Sequence, residues 1–265
     1  MLTFRQLVKG LEKLEIPRDR PVMVHASLSA FGEVHGGADT LLGAILVVAP
    51  RVMMPAFTYR TMIVPEIGPP DNGITYGEGH DRNLMAEFFR PDMPVDPLIG
   101  RVAEKLRQHP RAVRSAHPIL SFVGIGVDEA LKAQTLQEPL APVRVLTESQ
   151  GSVLLLGVGQ TSNTSIHYAE KLAGRKQFVR WALTTHGVVQ CPGFPGSSDG
   201  FEQITPYLND VTRREEIGMA TVQAIPLPDL IATARRLMQS DPRALLPLHS
   251  NDLRVRDALR AAGKA

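Results

Sequence analysis

The clearest chemistry in this chain lies in Thr164, His167 and Glu170, which recur every third position in the run TSNTSIHYAEKLA. Residues three apart share one face of a helix, so all three side chains would look the same way. A histidine that changes charge near neutral pH is the usual general base. A carboxylate beside it fixes the ring tautomer and stabilises the imidazolium formed on proton abstraction. The competing reading is an ordinary His–Glu pair on a helix surface. A second candidate is His25, at the end of the apolar run PVMVHA and just before Ser27, Leu28 and Ser29. In open α/β sheets the loops after the carboxyl ends of strands line the ligand crevice, which suits His25 and the amides after it to recognition or catalysis. A histidine hydrogen-bonded beneath a turn would carry the same signature. A third stretch, Arg114, Ser115 and His117 before Pro118, offers donors to phosphate or carbonyl oxygens, with a loop ion pair as the alternative.

Charge is unevenly distributed around these groups. Residues 61–100 hold Glu66, Asp71, Glu78, Asp81, Glu87, Asp92 and Asp96 against only Arg82 and Arg90. The next segment reverses sign, with Arg101, Lys105, Arg107, Arg111 and Arg114 against Glu104 alone. One segment favours a cation and its neighbour an anion, although solvated charged faces give the same pattern.

The elements that must position these groups alternate between strand and helix. Phe4, Leu7, Val8, Leu11 and Leu14 fall on one helical face, Thr3 and Gln6 have capping-box spacing, and Pro17 ends the segment. PVMVHA reads as a strand, SLSAFGEVHGGAD as a Ser- and Gly-rich turn, TLLGAILVVA as a helix and residues 51–57 as a second strand. A long loop rich in Pro and Gly follows. Asp96 and Pro97 then open a helix over LIGRVAEKLRQ, closed by Pro110. ILSFVGIG is a buried strand, DEALKAQ a short helix, and SVLLLGVG, the most apolar strand, is expected at the centre of the sheet. Asn163 or Thr164 caps the helix that carries His167. Residues 178–185 and 187–191 pair as a hairpin, and CPGFPGSSDGF is a loop. MATVQAIPL is the last strand, Pro228 opens a helix, and the charged tail NDLRVRDALRAAGKA is peripheral. With no repeat or linker, one α/β domain over residues 1–265 is the economical reading.

Composition removes whole classes of function. The 265 residues carry a formal charge of +2 and are 43% hydrophobic, too apolar and too weakly charged for a disordered chain. A charge this close to neutral also argues against a nucleic-acid binder. The single cysteine, Cys191, allows no internal disulfide and no cysteine-based metal site, and the eight histidines lack metal-ligand spacing, so no metal is expected. There is no Walker A sequence, no G-x-S-x-G elbow and no H-E-x-x-H, and GVGQTS lacks the third glycine of a dinucleotide fingerprint. The opening MLTFRQLVKGLEKLE has no apolar leader core, and no run approaches 18 apolar residues. A cytoplasmic protein without membrane contact is expected.

Taken in order, these segments resemble the antibiotic N-acetyltransferases typified by aminoglycoside 3-N-acetyltransferases. The matching stretches are VMVHASLSAFGEVHGGADTLLGAI, VMMPAFTY, IGRVAEKLRQHPRAVRSAHPILSFVGIG with Glu104, SVLLLGVGQTSNTSIHYAEKLA and IATARRLMQSDPRALL, spread over nearly the whole chain. Two regions depart from the family pattern: a long stretch shortened here to LQEPLAPVRVL, and Lys171 to Leu208. Both fall where walls of the acceptor site are expected.

The resemblance implies a mixed central sheet flanked by helices and transfer of acetyl from acetyl-CoA to an aminoglycoside amine, by a monomer or homodimer. It further implies that His167 is the base with Glu170 as its partner. His25, Ser27, Leu28, Ser29, Gly32, Val34, Arg114, Ser115, His117 and Ser121 fall in the stretches that surround the coenzyme. A polycationic acceptor needs carboxylates, for which Asp71, Glu66 and Asp199 in Pro- and Gly-rich loops are the candidates, while the Thr164 hydroxyl or loop amides would stabilise an oxyanion. Two other functions fit the same residues: an acyltransferase of this family acting on a biosynthetic amine that is not an antibiotic, and a non-catalytic coenzyme- or sugar-binding module.

Overall fold

Local chemistry sets the first element of the computed structural model, which describes residues 1–247 and 249–263. Thr3 Oγ1 accepts from the Gln6 N–H while Gln6 Oε1 accepts from the Thr3 N–H at 2.9 Å, the reciprocal capping box that the sequence encodes. The helix it starts, α1 (Phe4–Glu12), buries Leu7 and Leu11. It ends before Pro17, because the Leu14 N–H turns back to the Leu11 carbonyl at 3.1 Å.

The chain continues through β1 (Val22–Ala26), α2 (Gly37–Val48), β2 (Val52–Pro55), β3 (Met62–Ile63), α3 (His80–Leu84), α4 (Arg101–Gln108), β4 (Val113–Arg114) and β5 (Phe122–Ile125). Then follow α5 (Asp128–Ala133), α6 (Ala141–Glu148), β6 (Ser152–Leu156), α7 (Ser165–Leu172), β7 (Phe178–Thr184) and β8 (Gly187–Phe194). The last elements are β9 (Arg213–Ile217), β10 (Ala220–Pro226), α8 (Leu227–Ser240) and α9 (Leu253–Ala262).

Seven strands form one mixed sheet in the order β4-β5-β2-β1-β6-β10-β9, with β1 parallel to both β2 and β6 and every other pair antiparallel. The middle position belongs to β1, and the more apolar β6 lies beside it. Both are covered on both faces, which is why they read as unbroken hydrophobic runs. Alternate residues of β1 show it: Val22 and Val24 pack with Leu7, Leu41 and Val102 of α1, α2 and α4, whereas Met23 packs with Leu146 and Ile231 of α6 and α8. A smaller antiparallel sheet, β3-β7-β8, supplies one wall of the cleft described below.

Several local expectations are revised. The Asp96–Pro97 start opens only a single 3-10 turn, Pro97–Ile99, capped by Asp96 Oδ1 on the Leu98 N–H at 3.0 Å. Gly100, at φ 98°, breaks the chain direction before α4 begins. CPGF is not loop but the end of β8, paired back to Phe178. The tail is not peripheral: α9 buries Val255, Asp257 and Ala258, and Arg254 reaches the cleft. Lys264 and Ala265 of that tail lie outside the described residues. Cys191 sits buried on β8, where burial pushes its thiol up to about 12. No helix among the described residues is long and apolar enough to cross a membrane.

Candidate active site

The carboxyl ends of β1 and β6 open into a cleft of about 890 Å³, near the upper end of the roughly 300–1,000 Å³ usual for small-molecule sites. His25 projects from the end of β1, in register with Leu155 of β6. The Ser27 N–H donates to the Leu156 carbonyl at 2.9 Å, carrying the pairing one step past the strand before Leu28–Phe31 turn as a 3-10 helix. Gly32 leaves that turn at φ 75°, a left-handed backbone that glycine adopts without a Cβ penalty. Ser27, Leu28, Ser29, Gly32 and Val34 all line the cleft, with the Ser27 and Ser29 hydroxyls 3.2 Å apart.

The second wall is α7. Asn163 Oδ1 accepts from the Ser165 N–H at 3.1 Å, so Asn163 supplies the capping bond and Thr164 makes none. The Thr164 hydroxyl is therefore left for the cleft that it lines. His167 Nδ1 lies 2.6 Å from Glu170 Oε2, and Arg175 Nη1 donates to Glu170 Oε1 at 2.8 Å. Arg175 is held in turn by the Pro242 and Ala244 carbonyls, which accept from Nη2 at 3.0 and 2.5 Å. A carboxylate only accepts, so Nδ1 carries the hydrogen and the neutral ring keeps its lone pair on Nε2. The Phe201 ring, 4.8 Å from the imidazole centroid, packs against it.

His25 completes the inner end. Its Nε2 is buried with no hydrogen-bond partner among the described residues, although the ring lines the cleft. Burial first, and the charge of neighbouring His167 second, push its pKa down to about 3. A neutral His25 places no positive charge beside the imidazolium that His167 would become. It also leaves one polar atom that a ligand can satisfy.

The other residues singled out by sequence divide sharply. Asp199 lines the cleft, in the loop after β8. Glu66 and Asp71 are exposed and do not line it; Asp71 turns to Arg260 at 3.5 Å. Arg114, Ser115, His117 and Ser121 also lie off the lining, with their side chains bonded to the protein itself, although His117 Nε2 has no hydrogen-bond partner among the described residues. Arg114 donates through Nε to Ser121 Oγ at 3.0 Å, through Nη2 to the Ala56 carbonyl at 2.6 Å, and through Nη1 to the Met93 and Pro91 carbonyls. Ser115 Oγ accepts from the Phe122 N–H and donates to Gln134 Oε1. His117 Nδ1 accepts from the N–H groups of Ile119 and Leu120, and burial pushes its pKa down to about 4. Leu120 does line the cleft, so this cluster braces the wall from behind.

Arg254 and Tyr59, which the sequence does not single out, line the cleft, as does Arg101, which the sequence marks only as one member of the basic segment. Tyr59 is half-buried, and desolvation, with Asp96 nearby, raises its phenol to about 12. The basic run was the local signal for Arg101; Arg254 was hidden in a charged tail. No group of three or more His, Cys, Asp or Glu side chains converges as a metal site among the described residues.

Glu170 is the only side chain hydrogen-bonded to His167 among the described residues. An imidazole held by a carboxylate on one nitrogen, in a ring that lines a cleft, is chemically able to accept a proton from a bound group. The model of the aminoglycoside 3-N-acetyltransferase family matches residues 23–239, and the chain belongs to that family. It is 27% identical over 268 residues to aminoglycoside N(3)-acetyltransferase III of Salmonella sp, an alignment covering 87% of this chain and 89% of that protein. Among solved structures, the apoenzyme of aminoglycoside acetyltransferase AAC(3)-IVa superposes at a TM-score of 0.79 with 24% identity, covering 98% of this chain and 97% of that one. A histidine-to-alanine mutant of the same enzyme in complex with a gentamicin gives 0.76 at 23% identity, covering 99% and 97%. AAC-IIIb in a binary complex with CoASH gives 0.73 at 22% identity, covering 90% and 97%. At these identities the structural likeness concerns the fold.

Proposed function

We propose that this protein transfers acetyl from acetyl-CoA to an amine of an aminoglycoside, with His167 as general base. The observation that carries the reading is the buried His167–Glu170–Arg175 chain, which fixes one ring nitrogen and leaves the other facing a cleft large enough for two substrates to meet. An ammonium cannot attack a carbonyl. His167 Nε2 takes a proton from the ammonium, the amine nitrogen forms the new bond to the thioester carbon, and as the C–S bond breaks the imidazolium gives that proton to the leaving sulfur, releasing coenzyme A as its thiol, while the nitrogen's remaining surplus proton passes to solvent. Glu170 stabilises the imidazolium and transfers no proton. The Thr164 hydroxyl and the amides after Ser27 are the donors closest in kind to an oxyanion hole.

The turn from Ser27 to Val34 serves the coenzyme in this reading, with Arg114, Ser115, His117 and Ser121 bracing that wall through Leu120. Asp199 serves an ammonium of the acceptor. A monomer or homodimer in the cytoplasm is the working assembly; light scattering and cell fractionation check both. The decisive experiment incubates the protein with acetyl-CoA and a panel including gentamicin, tobramycin and apramycin, follows thiol release, and locates the acetyl group by mass spectrometry. Thiol release with a single acetylated amine supports the reading. No release with any aminoglycoside overturns it, and release with other amines alone would favour a biosynthetic acceptor.

A further inference from the structure

The His167 ring is held from behind by one short stretch of chain, residues 242–246, which follows α8. One path runs through Arg175: Nη2 donates to the Pro242 and Ala244 carbonyls at 3.0 and 2.5 Å, and Nη1 donates to Glu170 Oε1 at 2.8 Å. A second path reaches Phe201, whose ring packs on the imidazole. Gln203 Nε2 donates to the Leu246 carbonyl at 2.9 Å, and a Cβ on Gly200 would stand 2.5 Å from the Leu245 carbonyl oxygen, so only glycine lets the turn Phe201–Leu208 lie this close. Leu245 is itself buried at φ 64°, a left-handed backbone that a leucine takes only where its surroundings impose it.

Charge matters here as much as position. The Glu170 and Arg175 side chains are 1% and 6% exposed, so water screens neither. A buried carboxylate alone beside an imidazole would bind a proton tightly, on the ring or on itself, because the pair would otherwise hold an unbalanced negative charge in a low dielectric. With Arg175 on its second oxygen the carboxylate is balanced. The ring can then stay neutral while its Nδ1–H remains oriented. Among the described residues no other lysine or arginine is ion-paired with Glu170. From β1, His25 brings no charge, its pKa being lowered to about 3 by burial first and His167 second. Across the cleft Arg254 is answered by Asp252, and Asp199 lies on the cleft side of the ring, away from Glu170. Arg144 of α6 pairs with Glu148, and Lys171 of α7 with Glu138. Glu202, Arg235, Arg236, Asp241 and Arg243, on the segments packed against α7, are exposed to solvent.

We propose that Arg175 is a positioning residue for the base: it seats Glu170 on Nδ1 of His167 and, by balancing the Glu170 charge, keeps Nε2 free of a proton at neutral pH. This role rests on the reading of His167 as general base and adds the group that makes the base available.

The test follows the His167 ring by NMR from about pH 5 to 10 in the full chain without substrates, for wild type, Arg175→Gln and Arg175→Lys, with the resonance assigned by its loss in His167→Ala. Glutamine keeps a hydrogen-bond donor for Glu170 and removes the charge, whereas lysine keeps the charge. Arg175→Gln should move the midpoint of the His167 titration up by about one pH unit, and the acid limb of kcat with acetyl-CoA and gentamicin by about as much. Turnover would then fall about tenfold on the acid side and recover toward wild type in alkali. Arg175→Lys should stay within about 0.3 unit of wild type, since the charge on Glu170 is still balanced. A loss of turnover equal at every pH, with the midpoint unmoved, would make Arg175 a structural brace and overturn the proposal, as would a lysine variant displaced as far as the glutamine one. Should Arg175→Gln not fold, wild type decides: a His167 ring already protonated at the pH of maximum activity overturns the proposal, and a neutral ring with a lysine variant that matches it supports the proposal. Because the titration needs no acceptor, a protein that acetylates no amine would bring down the proposed function and leave the titration to judge Arg175.

Discussion

Two buried polar networks serve the cleft, and they end differently. Around His167, Glu170 and Arg175 occupy one ring nitrogen and leave the other at the cleft surface. Around Arg114, the carbonyls of Ala56, Met93 and Pro91 with the hydroxyl of Ser121 engage all three guanidinium nitrogens. Both networks are built from residue types suited to catalysis. What separates a reactive site from a brace is the open atom: a saturated network holds its neighbours in place, and a network with one unfilled position can exchange a proton or a hydrogen bond with a ligand.

The largest effect expected from this contrast is that His167→Ala lowers kcat by about 10²- to 10⁴-fold, the usual contribution of a general base, while its melting temperature stays near that of wild type. Stopped assays with gentamicin alongside thermal melts check both halves; near-normal turnover would remove His167 from the chemistry. Arg114→Ala should do the reverse. Losing a half-buried guanidinium strands several carbonyls, for a loss of about 2–4 kcal/mol of stability in urea melts, while the folded fraction keeps its KM for acetyl-CoA within a few-fold. A selective rise in that KM would return Arg114 to the coenzyme.

Acid sharpens the comparison further, because each network has a buried histidine beside it. His25 and His117 have pKa values lowered to about 3 and about 4 by burial, against about 6.5 in the unfolded chain. The unfolded state thus binds more protons between those limits, so the stability present above pH 6.5 is lost as pH falls toward 4. Once pH is well below 6.5 the loss is about 1.4 kcal/mol per pH unit for each histidine. His117→Asn should flatten the slope of urea-derived stability between pH 6 and 4.5, and an unaltered slope would mean that His117 is not buried neutral. The smallest effect belongs to Asp71→Asn. Its carboxylate faces Arg260 at the surface, so the change should move stability by about 0–1 kcal/mol and leave the acceptor KM within twofold.

How much of this was legible in the chain depended on whether the cause was local. The three-residue spacing of Thr164, His167 and Glu170 is set by helix geometry alone, and the run PVMVHA ends where the sheet ends, so the dyad and His25 could be read directly. Arg175 could not, because its role depends on carbonyls of Pro242 and Ala244 brought to it by the fold. The same holds for Arg254, whose charged surroundings in α9 look solvated until Asp257 is found buried and accepting from the Gly73 N–H at 2.8 Å. The edge strand β9, RREEI, goes unread in the sequence because an outermost strand carries polar residues, which resist pairing with other chains, in place of an apolar run. Acidic residues 66 and 71 misled for a related reason: loop composition reports solvent exposure, and it does not say which side of the loop meets the cleft.

Cys191 has a use that follows from its seat in β8. A thiol pushed up to about 12 and wrapped in the β7–β8 hairpin is almost entirely protonated and shielded at assay pH, so disulfide reagents should leave it untouched in the folded protein. Thiol-release assays on this enzyme therefore count coenzyme A without a background from the protein. Denaturant would expose that one sulfur, and the rate at which it then reacts becomes a built-in clock for the opening of the cleft wall, read without any added label.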